Sequence, residues 1–465
     1  MLALVFVFLT IGLLATAAAG RPMSMIDEHI HLDTQFKVHD HTFPHRGSLL
    51  GPELVHEWAC GVGHEAGPTT VPCGSPDLGP GSIPSGKYTS GYIHYPTWFI
   101  GGEVFRAGYT AVFGARRPID IYRQYAAVVM LAGVACCAVA SWRMGLRGSA
   151  LMAGTFTPVA ASSILMFGTQ VNPNSAAVLC GALIGGAGLS WVRTGRGFWK
   201  LALGTAFASV VSIISTLPVG AFLILMTTVL LLGRRNWTLP GPWQPRWSQV
   251  FALGALVLVP VYVWGRVTSA QATVSNKTLY GFFAIKQPSD VAVGAVRELF
   301  TLHDPWTEGD VLNAPAGHVV LGLLRAPAYG VPFLVSVIVL GTLLWVAVER
   351  HLACRSRTPS VPDAAGTSAE STTAVGGRPA AKTLPVAQMA VWSALAALIL
   401  YPPALRIWLA LSAGFEHGVV SRYSIAFTPL LTWLALDTLR DSRRMTRVLA
   451  AVAVTGVVAL AAVGY

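Results

Sequence analysis

Charge is scarce in this sequence. Asp, Glu, Lys and Arg make up 11% of its 465 residues, against about 25% in soluble domains. A chain so poor in charge cannot solvate the surface of an ordinary soluble fold. Other absences narrow the functional classes. There is no Gly-x-x-x-x-Gly-Lys-Ser/Thr loop and no Gly-x-Ser-x-Gly elbow, which argues against an ATP-driven pump and a serine hydrolase. The six cysteines show no metal-ligand spacing, and no internal repeat is visible. Lys and Arg outnumber Asp and Glu by 32 to 21, for a net charge of +11. The basic residues nevertheless form no compact domain that could track a phosphate backbone, so nucleic acid is not an expected partner.

Apolar runs fill the space that charge leaves. The chain is 53% hydrophobic with a mean hydropathy of +0.57, and its runs are long enough to cross about 30 Å of hydrocarbon. The expected fold class is an all-α polytopic membrane protein with about 11 transmembrane helices. They fall near 1–20, 121–142, 149–168, 174–192, 201–217, 218–233, 248–265, 331–348, 386–402, 422–439 and 448–464. The continuous run from 201 to 233 is divided at Pro218, because proline removes a backbone donor. Met1 to Gly20 ends in a signal-peptide-like Ala-Ala-Ala-Gly, but it has no basic start and its apolar run is long, so a retained first helix is expected.

Loop charges set the orientation. With a cytoplasmic amino terminus, the inner loops carry Arg143 and Arg147, then Arg193, Arg196 and Lys200, then Arg234, Arg235 and Arg246, and last Arg440, Arg443, Arg444 and Arg447. The short outer turns Val171–Asn174 and Leu217–Pro218 carry none, as the positive-inside rule requires. A multi-pass protein of the plasma membrane follows, its amino terminus inside and its long loops outside. The divisions are a first helix (1–20), a long outer loop (21–120), helices two to seven (121–265), a second outer loop (266–330), helix eight (331–348), a cytoplasmic linker (349–385) and helices nine to eleven (386–465). Short interfacial helices, such as Trp98 to Phe113, are expected in the first loop. Cys60 and Cys73 share that loop, where a disulfide is plausible on the oxidising side. The linker is rich in Ser, Thr, Pro, Ala and Gly from Arg355 to Lys382 and lacks aromatics, a composition that favours disorder.

Against this acid-poor background one stretch stands out. Asp27, Glu28, His29, His31, Asp33, His39, Asp40, His41 and His45 fall within nineteen positions just beyond the first apolar run. Carboxylates at a membrane–water boundary suit general-base chemistry on a lipid-linked substrate, and could hold a divalent cation on a leaving phosphate. The histidines could bind a transition metal, since imidazole suits Zn or Cu. They show no helical His-x-x-x-His and no His-Glu-x-x-His spacing, and a supporting role for His31 is the simpler reading.

The segment Asp27-Glu28-x-x-His31 resembles the first-loop acidic motif of GT-C superfamily membrane glycosyltransferases. It is most like an uncharacterised bacterial family of predicted polytopic members with an Asp-Glu-x-x-His first loop. Thr169-Gln170-Val171-Asn172-Pro173-Asn174 resembles that family's Asn-Pro-Asp turn, with Asn174 where Asp is commoner. Ser421-Arg422-Tyr423, with Pro429, resembles its late Gly-Arg-Tyr segment, with serine in place of glycine. The resemblance implies a GT-C-like fold, a polyprenyl-phosphate sugar donor and inversion at the anomeric carbon. The acceptor would be an envelope glycan, glycolipid or protein on the extracytoplasmic face, and the sugar arabinofuranose, mannose or another hexose.

On this reading Asp27 is the general base, with Glu28 assisting it or helping to bind Mg, Mn or Ca. Arg422 and Arg123 are the candidates for the donor phosphate, because guanidinium pairs bidentately with phosphate and arginine at membrane depth needs a partner. His31, Tyr95, Asn172, His303 and Tyr423 are the further substrate-binding candidates. Tyr95 belongs to an aromatic group with His94, Trp98 and Phe99, and His303 opens the acidic knot His303–Asp310. The alternative is a transporter or flippase of a lipid-linked or small polar substrate. Such proteins place ionisable groups near the bilayer midplane, whereas these runs are nearly free of charge.

Overall fold

A computed structural model of the chain describes residues 1–24, 26–232, 237–238, 245–275, 287–301, 303–306, 319–356, 384–413 and 421–463. Within them the chain is helical, apart from a two-residue pairing of Trp237–Thr238 with Leu384–Pro385 and two isolated bridges. Helix α1 (Leu2–Ala17) leads into a long segment holding α2 (Glu28–His39), α3 (Pro52–Cys60) and α4 (Pro96–Phe113). Then come α5 (Pro118–Arg143), α6 (Ser149–Phe156), α7 (Ser162–Leu165), α8 (Ala177–Thr194), α9 (Phe198–Val211), α10 (Ile213–Leu232) and α11 (Trp247–Ala270). The remainder is α12 (Pro288–Phe300), α13 (Val319–Ser356), α14 (Val386–Ala413), α15 (Thr428–Thr438) and α16 (Arg443–Val463).

Seven described helices are long and apolar enough to cross a membrane, or eight if the bent pair Ser149–Val159 and Ser162–Gly168 forms one span. The chain is therefore an all-α, multi-pass membrane protein, and its span count by this measure lies below the eleven apolar runs. Three runs account for the difference. The first yields the sixteen-residue α1. The run at 201–233 breaks at Ser212, six residues before Pro218, which leaves α9 only fourteen residues long. Ser212 has extended backbone, and its Oγ accepts from Ser215 N at 3.4 Å. This N-cap outweighs the proline as a boundary signal. The tenth run divides into a 3₁₀ turn, Ser421–Phe427, and the eleven-residue α15.

Helix ends follow local chemistry. Pro96 and Pro118 open α4 and α5 at positions whose N–H would be unused. Asp120 in the first turn of α5 and Arg143 in its last complement the helix dipole. Gly195, with φ +69°, closes α8 in the left-handed conformation that glycine adopts most freely. Helix α13 runs on to Ser356, so the linker's first residues, 349–356, are helical; 357–383 lie outside the described residues, as do Thr307–Asp310 of the acidic knot. Cys60 and Cys73 form a disulfide.

The bent pair organises the middle of the molecule. Its two parts meet at 68°, and a break inside a membrane must find partners for freed carbonyls. Trp306, 1% exposed, donates Nε1–H to the Thr157 carbonyl at 2.9 Å. Thr428 Oγ1 donates to the Pro158 carbonyl, also at 2.9 Å. Ser163 Oγ donates in turn to the Trp306 carbonyl at 3.2 Å. The break thus binds the 303–306 segment and the start of α15 into one core.

Candidate functional site

Helix α2 has no apolar face, yet every side chain from Glu28 to Gln35 is buried. Its polar groups must be paired inside the protein, and that pairing separates the two adjacent carboxylates. Glu28 is 0% exposed. Its Oε1 accepts from Arg123 Nε (2.8 Å) and Val171 N (2.9 Å), and its Oε2 from Arg123 Nη2 (2.9 Å) and Ser24 N (2.7 Å). Arg123, 2% exposed, also donates to the carbonyls of Arg21 (2.8 Å) and Pro22 (3.2 Å). Both members are consumed by this buried fork. Glu28 is a strut rather than a second base, and Arg123 has no face open to a donor phosphate.

Asp27 points the other way. Its side chain is 51% exposed and its Oδ2 accepts from Arg422 Nη2 at 3.0 Å, across 395 residues of chain. Asp27 holds a left-handed backbone, φ 58° and ψ 9°. Asp and Asn tolerate this conformation better than most residues do. Its neighbours are fixed on both sides: Asn172 Nδ2 reaches the Ile26 carbonyl at 3.4 Å, and Glu28 is locked as described. Asn172 is 1% exposed, and its Oδ1 accepts from Asn174 N at 2.9 Å. The turn 171–174 therefore grips the backbone around Asp27, and Asn172 acts from behind the site.

Arg422 lies on the 3₁₀ turn Ser421–Phe427 and stacks over Tyr423, Cζ to ring centroid 5.7 Å. Two histidines complete this side. His94 packs edge-on against His31 with centroids 4.7 Å apart, and both lie within electrostatic reach of Arg422. Tyr401 from α14 lies within reach of Tyr423, and its buried hydroxyl has no hydrogen-bond partner among the described residues. His94 entered the sequence reading only as part of an aromatic group, and Tyr401 did not enter it. The latter sits in an apolar run, where only Pro402 and Pro403 behind it break the pattern.

The turn bearing Arg422 is pressed against α8. A Cβ on Gly181 would stand 2.1 Å from the Ala426 carbonyl oxygen and 2.8 Å from its carbon. Backbone cannot yield as a side-chain tip does. Gly181→Ala is expected to cost roughly 1–3 kcal/mol by overpacking, measured as a fall in thermal unfolding midpoint. Gly254→Ala, with nothing within 4 Å, is the unaffected comparison.

The remaining candidates lie elsewhere. Tyr95 is buried against Trp264, centroids 5.5 Å apart, with its hydroxyl unpartnered among the described residues. His303 is buried with Glu298 at 2.6 Å, and Glu298 Oε1 accepts from Arg406 Nη1 at 2.8 Å. This network is separate from the Asp27–Arg422 pair. Both are linked through α14, where Arg406 follows Tyr401 by five residues, about 7.5 Å along the axis.

The donor set does not suit a metal. Arg422 sits on Asp27, four N–H groups saturate Glu28, and among the described residues no three His, Cys, Asp or Glu side chains converge. His29, His31 and His94 are instead held neutral by burial. Burial pushes His29 down to about 4, with His64 adding to the effect; burial pushes His94 to about 4 as well, with Asp27 opposing and Arg422 reinforcing. A folded pKa below the unfolded value near 6.5 means that the unfolded chain takes up more protons in acid. Stability is expected to be flat above pH 6.5 and to fall between pH 6.5 and 4. His29→Phe is expected to lessen that slope in thermal unfolding measured across pH.

No protein-family model, curated protein or solved structure matches the chain.

Proposed function

We propose that the chain is a GT-C type membrane glycosyltransferase, moving a sugar from a polyprenyl-phosphate donor to an envelope acceptor. Asp27 is the general base and Arg422 the phosphate-binding group. The observation that carries this reading is the Asp27–Arg422 pair. It joins an exposed carboxylate just beyond the first helix to a guanidinium from the far end of the chain. In a transfer with inversion the hydroxyl attacks the carbon from the face opposite the leaving phosphate, so base and phosphate-binding group must belong to one site and part by the width of the sugar carbon when substrate binds.

The strength of the pair also fits. An ion pair as exposed as this one is worth about 0–1 kcal/mol. A donor phosphate can therefore displace Asp27 from Arg422 at little cost, freeing the carboxylate to accept the hydroxyl proton. Tyr423 and His94 lie beside Arg422 and would face the sugar. No step is assigned to a metal.

The test is transfer of radiolabelled sugar from a polyprenyl-phosphate donor in membranes containing the protein. Transfer that is present in wild type and absent in Asp27→Asn supports the assignment. Passage of the lipid-linked substrate across the bilayer without glycosidic transfer would favour a flippase instead.

A further inference from the structure

At the end of α5 away from Asp27, about 39 Å along a helix of twenty-six residues, a cavity of about 550 Å³ opens between α1, α6 and α16. Its wall on α16 is formed by Arg447, Ala450, Ala451 and Val454, which recur at the spacing of one helix face. Leu2 and Met152 face them from α1 and α6. The alanines leave a trough where larger side chains would have filled the gap. No acidic side chain lines it.

Position and charge identify an occupant. Arg447 lies one turn into the span Arg443–Ala462, at head-group depth for a membrane helix. It is exposed, and no acid pairs with it among the described residues. Arg440, Arg443 and Arg444 lie just before it, and Arg143 ends α5 five residues before the lining residue Gly148. Arg147 is occupied, donating to the carbonyls of Trp142 (2.7 Å) and Leu146 (2.8 Å), and braces the turn before α6. A trough with one free guanidinium at its mouth and an apolar floor matches a phosphate joined to an acyl chain. Asp441 interrupts the basic run, but Arg440, Arg443 and Arg444 outnumber it, and the net positive field favours a lipid of net negative charge.

We infer that this cavity is a binding site for an anionic glycerophospholipid of the bilayer. Its phosphate sits on Arg447, and the upper part of one acyl chain lies along Ala450, Ala451 and Val454. The site is independent of the Asp27–Arg422 pair and of the reaction proposed there.

Native mass spectrometry of the full-length protein, released from nanodiscs of equal phosphatidylglycerol and phosphatidylcholine, tests the inference. Wild type is expected to retain phosphatidylglycerol preferentially. Arg447→Gln should lower retention roughly five-fold, as expected for one interfacial cation, and Ala451→Phe should lower it by filling the trough. Arg443→Gln, outside the cavity, should lower it less than Arg447→Gln does, since it weakens the field without removing the phosphate contact. Equal retention of the two lipids by wild type overturns the site, as does undiminished phosphatidylglycerol on Arg447→Gln. Arg447 is exposed, so that variant decides the matter even if Ala451→Phe fails to fold.

Discussion

Glu28→Ala is expected to cost about 3–5 kcal/mol of stability, because removing one partner of a buried ion pair leaves the other charge stranded. The stranded group is Arg123, 2% exposed, whose remaining partners are two carbonyls. The Val171 and Ser24 amides lose their acceptor in the same step, and each unsatisfied buried group adds to the penalty. The measurement is thermal unfolding in detergent with gel-filtration behaviour alongside. A midpoint within a degree of wild type would remove the strut from this account. The double variant Glu28→Gln with Arg123→Met should recover part of the loss, since it removes both charges while keeping most of the volume.

Asp27→Asn is expected to do the reverse. Asp27 is 51% exposed though Arg422 is only 18% exposed, so solvent screening on the carboxylate side keeps the pair to about 1 kcal/mol, and asparagine adopts the left-handed backbone as readily as aspartate. Stability should hardly move, whereas transfer should fall by about 10²–10⁴, the usual contribution of a general base. Two adjacent carboxylates thus separate fold from chemistry. Near-full transfer by Asp27→Asn in membranes would refute the base assignment, while loss of transfer together with loss of folding would refute the division of labour.

The sequence made the helical membrane class legible, because runs near twenty apolar residues have few other uses. It also marked the acid cluster after the first run as unusual. What it concealed was direction. Asp27 and Glu28 are alike in type and neighbours in the chain, and only the approach of Arg123 and the 171–174 turn makes one a strut. Asn172 drew notice through a turn motif, and its contact with the Ile26 carbonyl turns that notice towards a supporting role. The boundary at Ser212 was equally hidden, since proline is the louder signal and a capping serine within an apolar run is quiet. His303 looked like part of a surface knot, but its partners Glu298 and Arg406 lie on helices that composition alone does not bring together.

The distance in sequence between the partners also orders events in time. Glu28 meets Arg123 after 95 residues, whereas Asp27 waits 395 for Arg422. At about 5–20 residues per second of synthesis, the strut can close roughly 5–20 s after Glu28 is made. Arg422 follows Asp27 only after roughly 20–80 s. The backbone bearing Asp27 can therefore be set long before its guanidinium exists, and a chain interrupted in that interval would carry the carboxylate without the group that answers it.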